Sequence, residues 1–229
     1  MTNSILLLHG ALGSKNQLQN LKNALSKDFN VYDLNFEGHG GRTSNRDFRM
    51  DTFAENILQC VQENKLSKVS IFGYSMGGYA ALAFAKKHPV LVERIITLGT
   101  KFAWTETFAK QEVRKLNPDK IEEKVPAFAQ KLEAIHSPSD WKEVVSKTAG
   151  MMEGLGGSEK LSKEDFQQIE HPTLITRGSL DRMVTLTESE EIAGLLPNAT
   201  FQTLEDFPHL IEKVDAEKLA VIVKGFFEV

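Results

Sequence analysis

Short apolar runs alternate with amphipathic stretches along most of the chain. The amphipathic stretches carry apolar residues at helical spacing, as Phe53, Ile57 and Val61 do. Such alternation is typical of βαβ units, and it predicts an α/β fold with a doubly wound, mostly parallel sheet. The predicted strands cover residues 5–9, 30–34, 69–74, 94–98, 173–176 and 200–204.

Capping signals mark several predicted helix starts. In a capping box, a Ser or Thr side chain and a Glu or Gln three residues later bond to each other's backbone N–H groups. Asn117 and Ser137 each precede a proline, as an N-cap precedes proline at the first helical position. The matches to the capping box are Ser14 with Gln17, Thr52 with Glu55, and Thr185 with Glu188.

Between residues 101 and 170 the alternation stops, and the pattern predicts several helices with no strand among them. This segment interrupts the predicted sheet before its fifth strand, at the edge where open α/β sheets bind ligands. We therefore expect residues 1–100 and 171–229 to form the core domain and residues 101–170 to form an inserted helical cap. The alternative is that these helices stack on the flank of the sheet.

Composition narrows the class of protein. The 229 residues are 41% hydrophobic and 25% charged, with a net charge of -4, which gives no electrostatic attraction to nucleic acid or anionic lipid. The single cysteine, Cys60, cannot form an intramolecular disulfide. The first residues lack a signal-peptide pattern, and no apolar run is long enough to span a membrane. We expect a cytoplasmic monomer or homodimer with no membrane or nucleic-acid partner.

The strongest chemical signal is the segment Gly73-Tyr74-Ser75-Met76-Gly77-Gly78. It follows a predicted strand and precedes a predicted helix rich in small residues, so we expect Ser75 on a sharp strand-to-helix turn. Glycines suit such a turn because the next helix passes close to the backbone. The turn also places Ser75 at a helix N-terminus, where free N–H groups stabilise negative charge. Ser75 is therefore the candidate nucleophile.

A serine nucleophile needs a histidine base and an acid that orients the histidine. Among six histidines, His209 follows the last predicted strand, which matches the Ser, acid, His chain order of this kind of site. Asp181 lies in the loop after the fifth predicted strand. Asp206 competes with it, but Asp206 is so near His209 in the chain that a hydrogen bond to Nδ1 is awkward. We take Asp181 as the acid.

Acyl transfer also needs hydrogen-bond donors for the developing oxyanion. The N–H of Met76 directly follows the nucleophile, and the N–H of Ala11 lies in a glycine-containing loop after the first predicted strand. His9 begins that loop, and we expect it to anchor the loop by hydrogen bonds rather than to act in catalysis. Ala11 and Met76 are therefore the predicted oxyanion hole.

A resemblance to a known family follows from these motifs taken together. The segments His9-Gly10-Ala11-Leu12-Gly13, Glu37-Gly38-His39-Gly40, Gly73 to Gly78, Gly178 with Asp181, and Pro208-His209 resemble the α/β-hydrolase superfamily, in its esterase and C–C hydrolase branch. The resemblance spans the chain except the cap. It implies that Ser75 attacks, that His209 relays the proton, and that Asp181 orients the imidazole. It also implies that Ala11 and Met76 hold the oxyanion.

Two departures from the family pattern are visible. The loop at residues 37–42 lacks the proline that usually precedes Gly-His-Gly, and the first strand leads directly into the oxyanion loop. The second departure leaves little room for the usual leading hairpin and predicts a trimmed sheet. Neither departure touches the catalytic residues.

The motifs predict a serine hydrolase that cleaves a small or medium carboxylic ester, or a related acyl compound, through an acyl-enzyme. Two alternatives stay open: C–C bond hydrolysis or elimination by the same triad, and a non-catalytic ligand-binding protein of the same fold. No histidine pair has zinc-site spacing and no glycine loop matches a nucleotide P-loop, so no metal or cofactor is predicted.

The substrate-binding residues are harder to assign. We take Leu12 of the oxyanion loop, with Phe102 and Trp104 near the end of the fourth strand, as the candidates. The cap contains a wider set of large apolar residues that are possible pocket lining. We expect at least half of them only to hold the cap helices together. They are Phe102, Trp104, Phe108, Phe128, Trp141, Met151 and Met152.

Overall fold

The computed structural model describes residues 4–228. Its strands are β1 (Ser4–Leu8), β2 (Asn30–Asp33), β3 (Val69–Tyr74), β4 (Val92–Leu98), β5 (Thr173–Gly178) and β6 (Ala199–Leu204). They form one six-stranded sheet in the order β2-β1-β3-β4-β5-β6, and every neighbouring pair is parallel. The predicted α/β fold is thus confirmed, and residues 4–228 contribute no antiparallel strand, as a trimmed sheet predicts.

Helices cover both faces of this sheet. In chain order they are α1 (Gln19–Leu25), α2 (Met50–Glu63), α3 (Met76–Lys87), α4 (Glu106–Val113), α5 (Pro118–Lys124), α6 (Pro126–His136), α7 (Trp141–Gly156), α8 (Lys163–Gln167), α9 (Leu186–Leu195) and α10 (Ala216–Phe227). Ile5 and Leu7 belong to the apolar cluster with α1 and α10, whereas Leu6 and Leu8 belong to the cluster with α2 and α3. Because successive side chains of a strand point to opposite faces, both faces of β1 are buried.

Five helices, α4 to α8, lie between β4 and β5. Helices α4, α5, α6 and α7 contact one another, while α8 packs against α3 and α9 of the core. Helix α8, at the end of the inserted segment, therefore packs on the core helices as the alternative to a cap described. The division of the chain into a core domain and a cap at residues 101–170 stays a prediction.

Two of the predicted helix starts are confirmed. Thr185 and Glu188 form a reciprocal capping box at the start of α9. Asn117 accepts a hydrogen bond from the N–H of Lys120, and Pro118 begins α5. In both places the short polar side chain lies next to the free N–H groups of the first turn, so the local sequence decides the helix start.

At three other positions the predicted capping signal does not form. A 3₁₀ turn at Lys15–Leu18 does begin after Ser14, but the Ser14 side chain makes no capping bond, and the Oε1 of Gln17 accepts from the N–H of Gly10 rather than from the backbone of Ser14. Helix α2 begins at Met50, so Thr52 lies inside it and the box with Glu55 does not form. The Ser137-Pro138 peptide is cis, and α7 begins later, at Trp141, with Asp140 as its N-cap. At these three positions the local sequence alone does not decide how the helix is capped.

Candidate active site

Ser75 lies on a strained turn between β3 and α3. Its φ of 51° falls in the left-handed region, which costs a non-glycine residue about 1–3 kcal/mol unless the surroundings enforce it. Here they do. The N–H of Ser75 donates to the carbonyl of Leu98 at 2.8 Å, and the hydroxyl of Thr100 donates to the carbonyl of Ser75 at 3.0 Å. The end of β4 thus holds the turn from both sides and presents the Ser75 side chain to the cavity.

The glycines of this turn are explained by close backbone contacts. A Cβ at Gly73 would lie 2.5 Å from the carbonyl oxygen of Gly77, and a Cβ at Gly77 would lie 2.4 Å from that of Leu8. Neither distance leaves room for a methyl group. The G-x-S-x-G pattern therefore follows from the contact of α3 with β1 and with the turn itself.

His209 joins Ser75 to Asp181. Its Nε2 lies 3.4 Å from the Oγ of Ser75, and its Nδ1 lies 2.8 Å from the Oδ2 of Asp181. A carboxylate only accepts hydrogen bonds, so Nδ1 carries the proton and Nε2 is left to accept from the serine hydroxyl. The Asp181 side chain is 1% exposed and that of His209 is 13% exposed. The three residues form one continuous chain of polar contacts.

The environment of Asp181 keeps it ionised. Burial by itself raises the pKa of this carboxyl, but the hydrogen bond and charge of His209 lower the pKa and, with two backbone N–H groups, outweigh burial. Those N–H groups belong to Met183 and Val184 and donate to Oδ1 at 2.7 and 3.1 Å. The Arg177 guanidinium also donates to the backbone carbonyls of Asp181 and Val184, which fixes the loop.

Asp206 occupies a different position. It is exposed, has a φ of 63°, and its N–H donates to the hydroxyl of Ser179 at 2.9 Å. Within residues 4–228, no hydrogen bond joins it to His209. The geometry thus favours Asp181 over Asp206 as the partner of the imidazole.

The two predicted oxyanion donors lie beside the serine. Ala11 and Met76 line the same cavity as Ser75 and His209. Among the hydrogen bonds of the described residues, none uses the N–H of Ala11 or of Met76. Met76 is the first residue of α3, whose opening N–H groups have no partner inside the helix. Both N–H groups are therefore available to an acceptor in the cavity.

The cavity has a volume of about 160 Å³. Trp104 forms part of its wall, but Leu12 and Phe102 do not line it. Phe102 instead packs between Tyr79 and Phe166, with 6.1 Å between ring centroids in each case. The lining residues are Ala11, Met50, Ser75, Met76, Tyr79, Lys101, Trp104, Phe108, Glu112, Lys115, Met151, Met152, Leu155, Arg182, Met183, Val184 and His209.

The seven large apolar residues that the sequence analysis named in the cap divide unequally between the cavity wall and other positions. Trp104, Phe108, Met151 and Met152 line the cavity, while Phe102, Phe128 and Trp141 do not. More than half of the set thus borders the cavity, against the expectation that at least half would serve only to hold the cap helices together. Sequence reasoning also missed lining residues outside the cap, which come from the starts of α2 and α3 and from the loop after β5. Apolar residues at helix starts carry no sequence signal that separates pocket from core.

Comparison with known proteins adds to the geometry. The model of the alpha/beta hydrolase fold family matches residues 3–139. The chain belongs to this family.

Relatives within the alpha/beta hydrolase family extend over nearly the whole chain. A Haemophilus influenzae protein named as an esterase/lipase is 23% identical, over 96% of this chain and 80% of that protein. The serine hydrolase BPHL of Mus musculus is 25% identical, over 98% and 79%. A thermophilic esterase from Thermogutta terrifontis superimposes with a TM-score of 0.79 at 20% identity, covering 99% of this chain and 89% of that one. The relatives' names support a hydrolase, and the structural likeness shows the fold.

Three histidines of this alpha/beta hydrolase are buried together at the loop that follows β1. Ring centroids lie 5.2 Å apart for His9 and His39, and 5.7 Å apart for His39 and His136. His9 pairs its Nδ1 with the carbonyl of Gly10 at 2.8 Å and accepts from the N–H of Phe36 at its Nε2. The predicted anchoring of the loop by His9 is confirmed. Burial lowers the pKa of His9 to about 4, so its ring is neutral.

His136 was not assigned a role by sequence reasoning. It ends α6, is fully buried, and contacts two loops of the core. Its Nδ1 accepts from the N–H of Gly40 at 3.1 Å, and its Nε2 pairs with the carbonyl of Leu12 at 3.2 Å. Those loops follow β1 and β2, so His136 connects the inserted helices to the carboxyl edge of the sheet.

Two further properties concern residues 4–228 alone. Their His, Cys, Asp and Glu side chains form no group of three that is able to hold a metal ion. Their helices are all too short or too polar to cross a membrane.

Proposed function

We propose that this chain is a serine hydrolase that cleaves small or medium carboxylic esters through an acyl-enzyme. The observation that carries the proposal is the continuous contact from Ser75 through His209 to Asp181. It occurs at a strained turn and beside two free backbone N–H groups, which together meet the needs of acyl transfer.

In the first half of the reaction, the Oγ of Ser75 attacks the ester carbonyl carbon while the Nε2 of His209 takes the hydroxyl proton. The carbonyl oxygen becomes an oxyanion and accepts from the N–H groups of Ala11 and Met76. Collapse of this intermediate breaks the bond to the alcohol, and His209 returns the proton to the leaving oxygen. Asp181 holds the imidazole in the required tautomer and stabilises its positive charge.

In the second half, water attacks the acyl-enzyme and His209 takes a proton from it. The second oxyanion uses the same donors, and its collapse releases the carboxylic acid and restores the hydroxyl of Ser75. In this proposal residues 101–170 act as a cap that shapes the acyl pocket, with Trp104 and Phe108 on its wall.

The test is covalent labelling of the folded protein with a fluorophosphonate, followed by mapping of the labelled residue. We expect labelling at Ser75 together with turnover of chromogenic esters, and Ser75→Ala to lose both. The matched control is Ser146→Ala, because Ser146 is exposed on α7 and its hydroxyl donates to the backbone carbonyl of Lys142 in the same helix. It should retain both activities.

Other outcomes would contradict the proposal. A folded protein whose Ser75 does not react with the probe is not a serine hydrolase. Turnover of β-diketones without turnover of esters would indicate C–C bond hydrolysis by the same residues. Tight binding of a small molecule without turnover, unchanged in Ser75→Ala, would indicate a ligand-binding protein.

A further inference from the structure

Methionine is concentrated at the candidate active site. The chain has six methionines, of which Met1 lies outside the described residues. All of the other five line the cavity that contains Ser75 and His209, namely Met50, Met76, Met151, Met152 and Met183.

These methionines come from separate parts of the chain. Met50 and Met76 begin α2 and α3, while Met151 and Met152 lie in α7. Met183 lies in the loop after β5, next to the acid. No run or repeat in the sequence brings them together. Only the fold does so, and it places them on several sides of one cavity.

The surface of the cavity is mainly apolar, with Tyr79, Trp104, Phe108 and Leu155 contributing aromatic and aliphatic area. Its charged residues are Lys101, Glu112, Lys115 and Arg182, and Arg182 is exposed. Both lysines already have carboxylate partners. Lys101 lies 2.9 Å from buried Glu188, and Lys115 lies 2.6 Å from Glu112. An uncharged acyl group fits this surface best.

Methionine differs from the other large apolar residues in the way it packs. Its side chain is unbranched, has three rotatable bonds and ends in a polarisable thioether, so it refills irregular space with little strain. Surfaces that bind many partners use methionine for this reason. A cavity walled by leucine, isoleucine and valine would instead present one fixed shape.

We infer that the methionines make this an adaptable acyl pocket, which accepts apolar acyl groups of different length and shape by repacking around each. The inference rests on the proposed function, since it concerns the acyl group that Ser75 receives. It adds a substrate class to the proposed function, namely esters whose acyl group is linear, branched or aromatic.

The position of Met183 supports a pocket in which side chains adapt while the catalytic residues stay fixed. Its backbone N–H donates to the Oδ1 of Asp181 at 2.7 Å, so the backbone is fixed by the acid. The residue as a whole is 53% exposed, and it lines the cavity. The side chain therefore changes rotamer without moving Asp181, and the pocket adapts while the catalytic contacts stay in place.

The experiment compares kcat/KM for p-nitrophenyl butyrate, octanoate and phenylacetate. A rigid apolar pocket discriminates about 10- to 200-fold between substrates that differ by a single methylene. For the unmodified protein we therefore expect a spread, meaning the ratio between the highest and lowest kcat/KM of the panel, below about tenfold. The triple variant Met151→Leu, Met152→Leu and Met183→Leu keeps similar volume with stiffer side chains. We expect the ratio between the highest and lowest kcat/KM of the panel to widen by about tenfold or more.

Two further substitutions, each added to the triple variant, complete the design. Leu155→Met adds a methionine to the cavity wall and should narrow the spread. Leu132→Met makes the same change in the apolar cluster formed by α5, α6 and α7, away from the cavity, and should leave the spread of the triple variant unchanged. If the triple variant does not fold, Met183→Leu alone is the test, because its side chain is exposed. The fluorophosphonate labelling rate reports whether each variant keeps its reactive serine.

Two results would overturn the inference while leaving the proposed function intact. One is an unmodified protein that cleaves a single ester of the panel at least about a hundredfold better than the others. The other is a folded triple variant with the same ratios as the unmodified protein. If no ester is cleaved and Ser75 is not labelled, the proposed function fails and the inference fails with it.

Discussion

The imidazole of His136 donates a hydrogen bond from Nε2 to the carbonyl oxygen of Leu12, over 3.2 Å. The same ring accepts at Nδ1 from the N–H of Gly40, so its tautomer is set by both partners. Leu12 has a φ of 56°, and it follows Ala11, the proposed oxyanion donor. A residue from the end of α6 therefore fixes a strained loop whose preceding residue, Ala11, lines the cavity.

Paired substitutions of His136 separate its two contacts. The amide N–H₂ of Gln reaches about as far as Nε2 of His, whereas the Oδ1 of Asn lies near the position of Nδ1. We expect His136→Gln to keep the Leu12 contact and most of kcat. His136→Asn loses that contact, and kcat should fall by about tenfold, because removing an oxyanion donor outright costs about 10²–10³. Steady-state kinetics on an ester measure both variants, and KM should change little.

A purely structural role for His136 predicts a different pattern. Both variants would then lose thermal stability by similar amounts and show the same kcat once folded. Full activity in folded His136→Asn would exclude the positioning role.

Substitution of the acid distinguishes the two candidate aspartates. In Asp181→Asn the amide no longer selects the Nδ1–H tautomer of His209, and we expect kcat to fall by about 10⁴. Asp206→Asn is the matched control, since Asp206 is exposed and bonds through its backbone to Ser179. Its kcat should stay within about twofold of the unmodified protein, as for surface substitutions. Equal losses in the two variants would contradict the assignment of Asp181.

Some of this architecture was predictable from sequence because its signals are local. Every predicted strand is confirmed, with ends that differ by at most two residues. The catalytic candidates follow from a strand-to-helix turn and from chain order, both of which are read directly along the sequence. The capping box at Thr185 and Glu188 is equally local, and it formed as predicted.

Other features depend on contacts between distant parts of the chain. His136 and Leu12 are 124 residues apart, and nothing near either residue signals their contact. The same holds for the methionine lining, which exists only once α7 packs over the cavity. The wrong helix start at Thr52 has a similar cause: the buried Met50 begins α2 and packs in the core cluster. Docking of one segment on another decides these positions.

The buried histidines predict that stability falls as pH falls. Burial lowers the pKa of His9 to about 4, lowers that of His39 well below its usual value, and lowers that of His136 as well. Below the unfolded pKa near 6.5, the unfolded chain therefore binds more protons than the folded one. For His9 alone this amounts to roughly 3 kcal/mol between pH 7 and pH 4. Asp181, whose pKa is also lowered, stabilises the fold above its unfolded pKa of 3.8, and this stabilisation is lost only as the pH falls below that value.

Urea unfolding at pH 7.0, 5.5 and 4.5 measures this dependence. We expect the free energy of unfolding to decrease at each step. His39→Phe removes one of the three buried imidazoles from a site lined by Phe48 and Phe53, so the decrease should become smaller. A free energy that is constant over this range, or that rises as pH falls, would contradict the prediction.

The last prediction compares one chemical change, glycine to alanine, at two helical sites. A Cβ at Gly77 would lie 2.4 Å from the carbonyl oxygen of Leu8 and 2.7 Å from that of His9. The backbone oxygens of Leu8 and His9 cannot move without moving the loop that carries Ala11. Gly150 of α7 is exposed, and a Cβ there would have no atom within 4 Å.

We expect Gly77→Ala to destabilise the fold by about 1–3 kcal/mol, as overpacking does. Its kcat should fall too, because Ala11 follows the displaced strand and Ser75 precedes the displaced helix. Gly150→Ala should instead stabilise the fold by about 0.5–1 kcal/mol through the lower backbone entropy of the unfolded chain, with kcat unchanged. Thermal unfolding and ester kinetics on both variants measure these effects. A Gly77→Ala protein as stable and as active as the unmodified one would mean that α3 does not lie against β1 as closely as described.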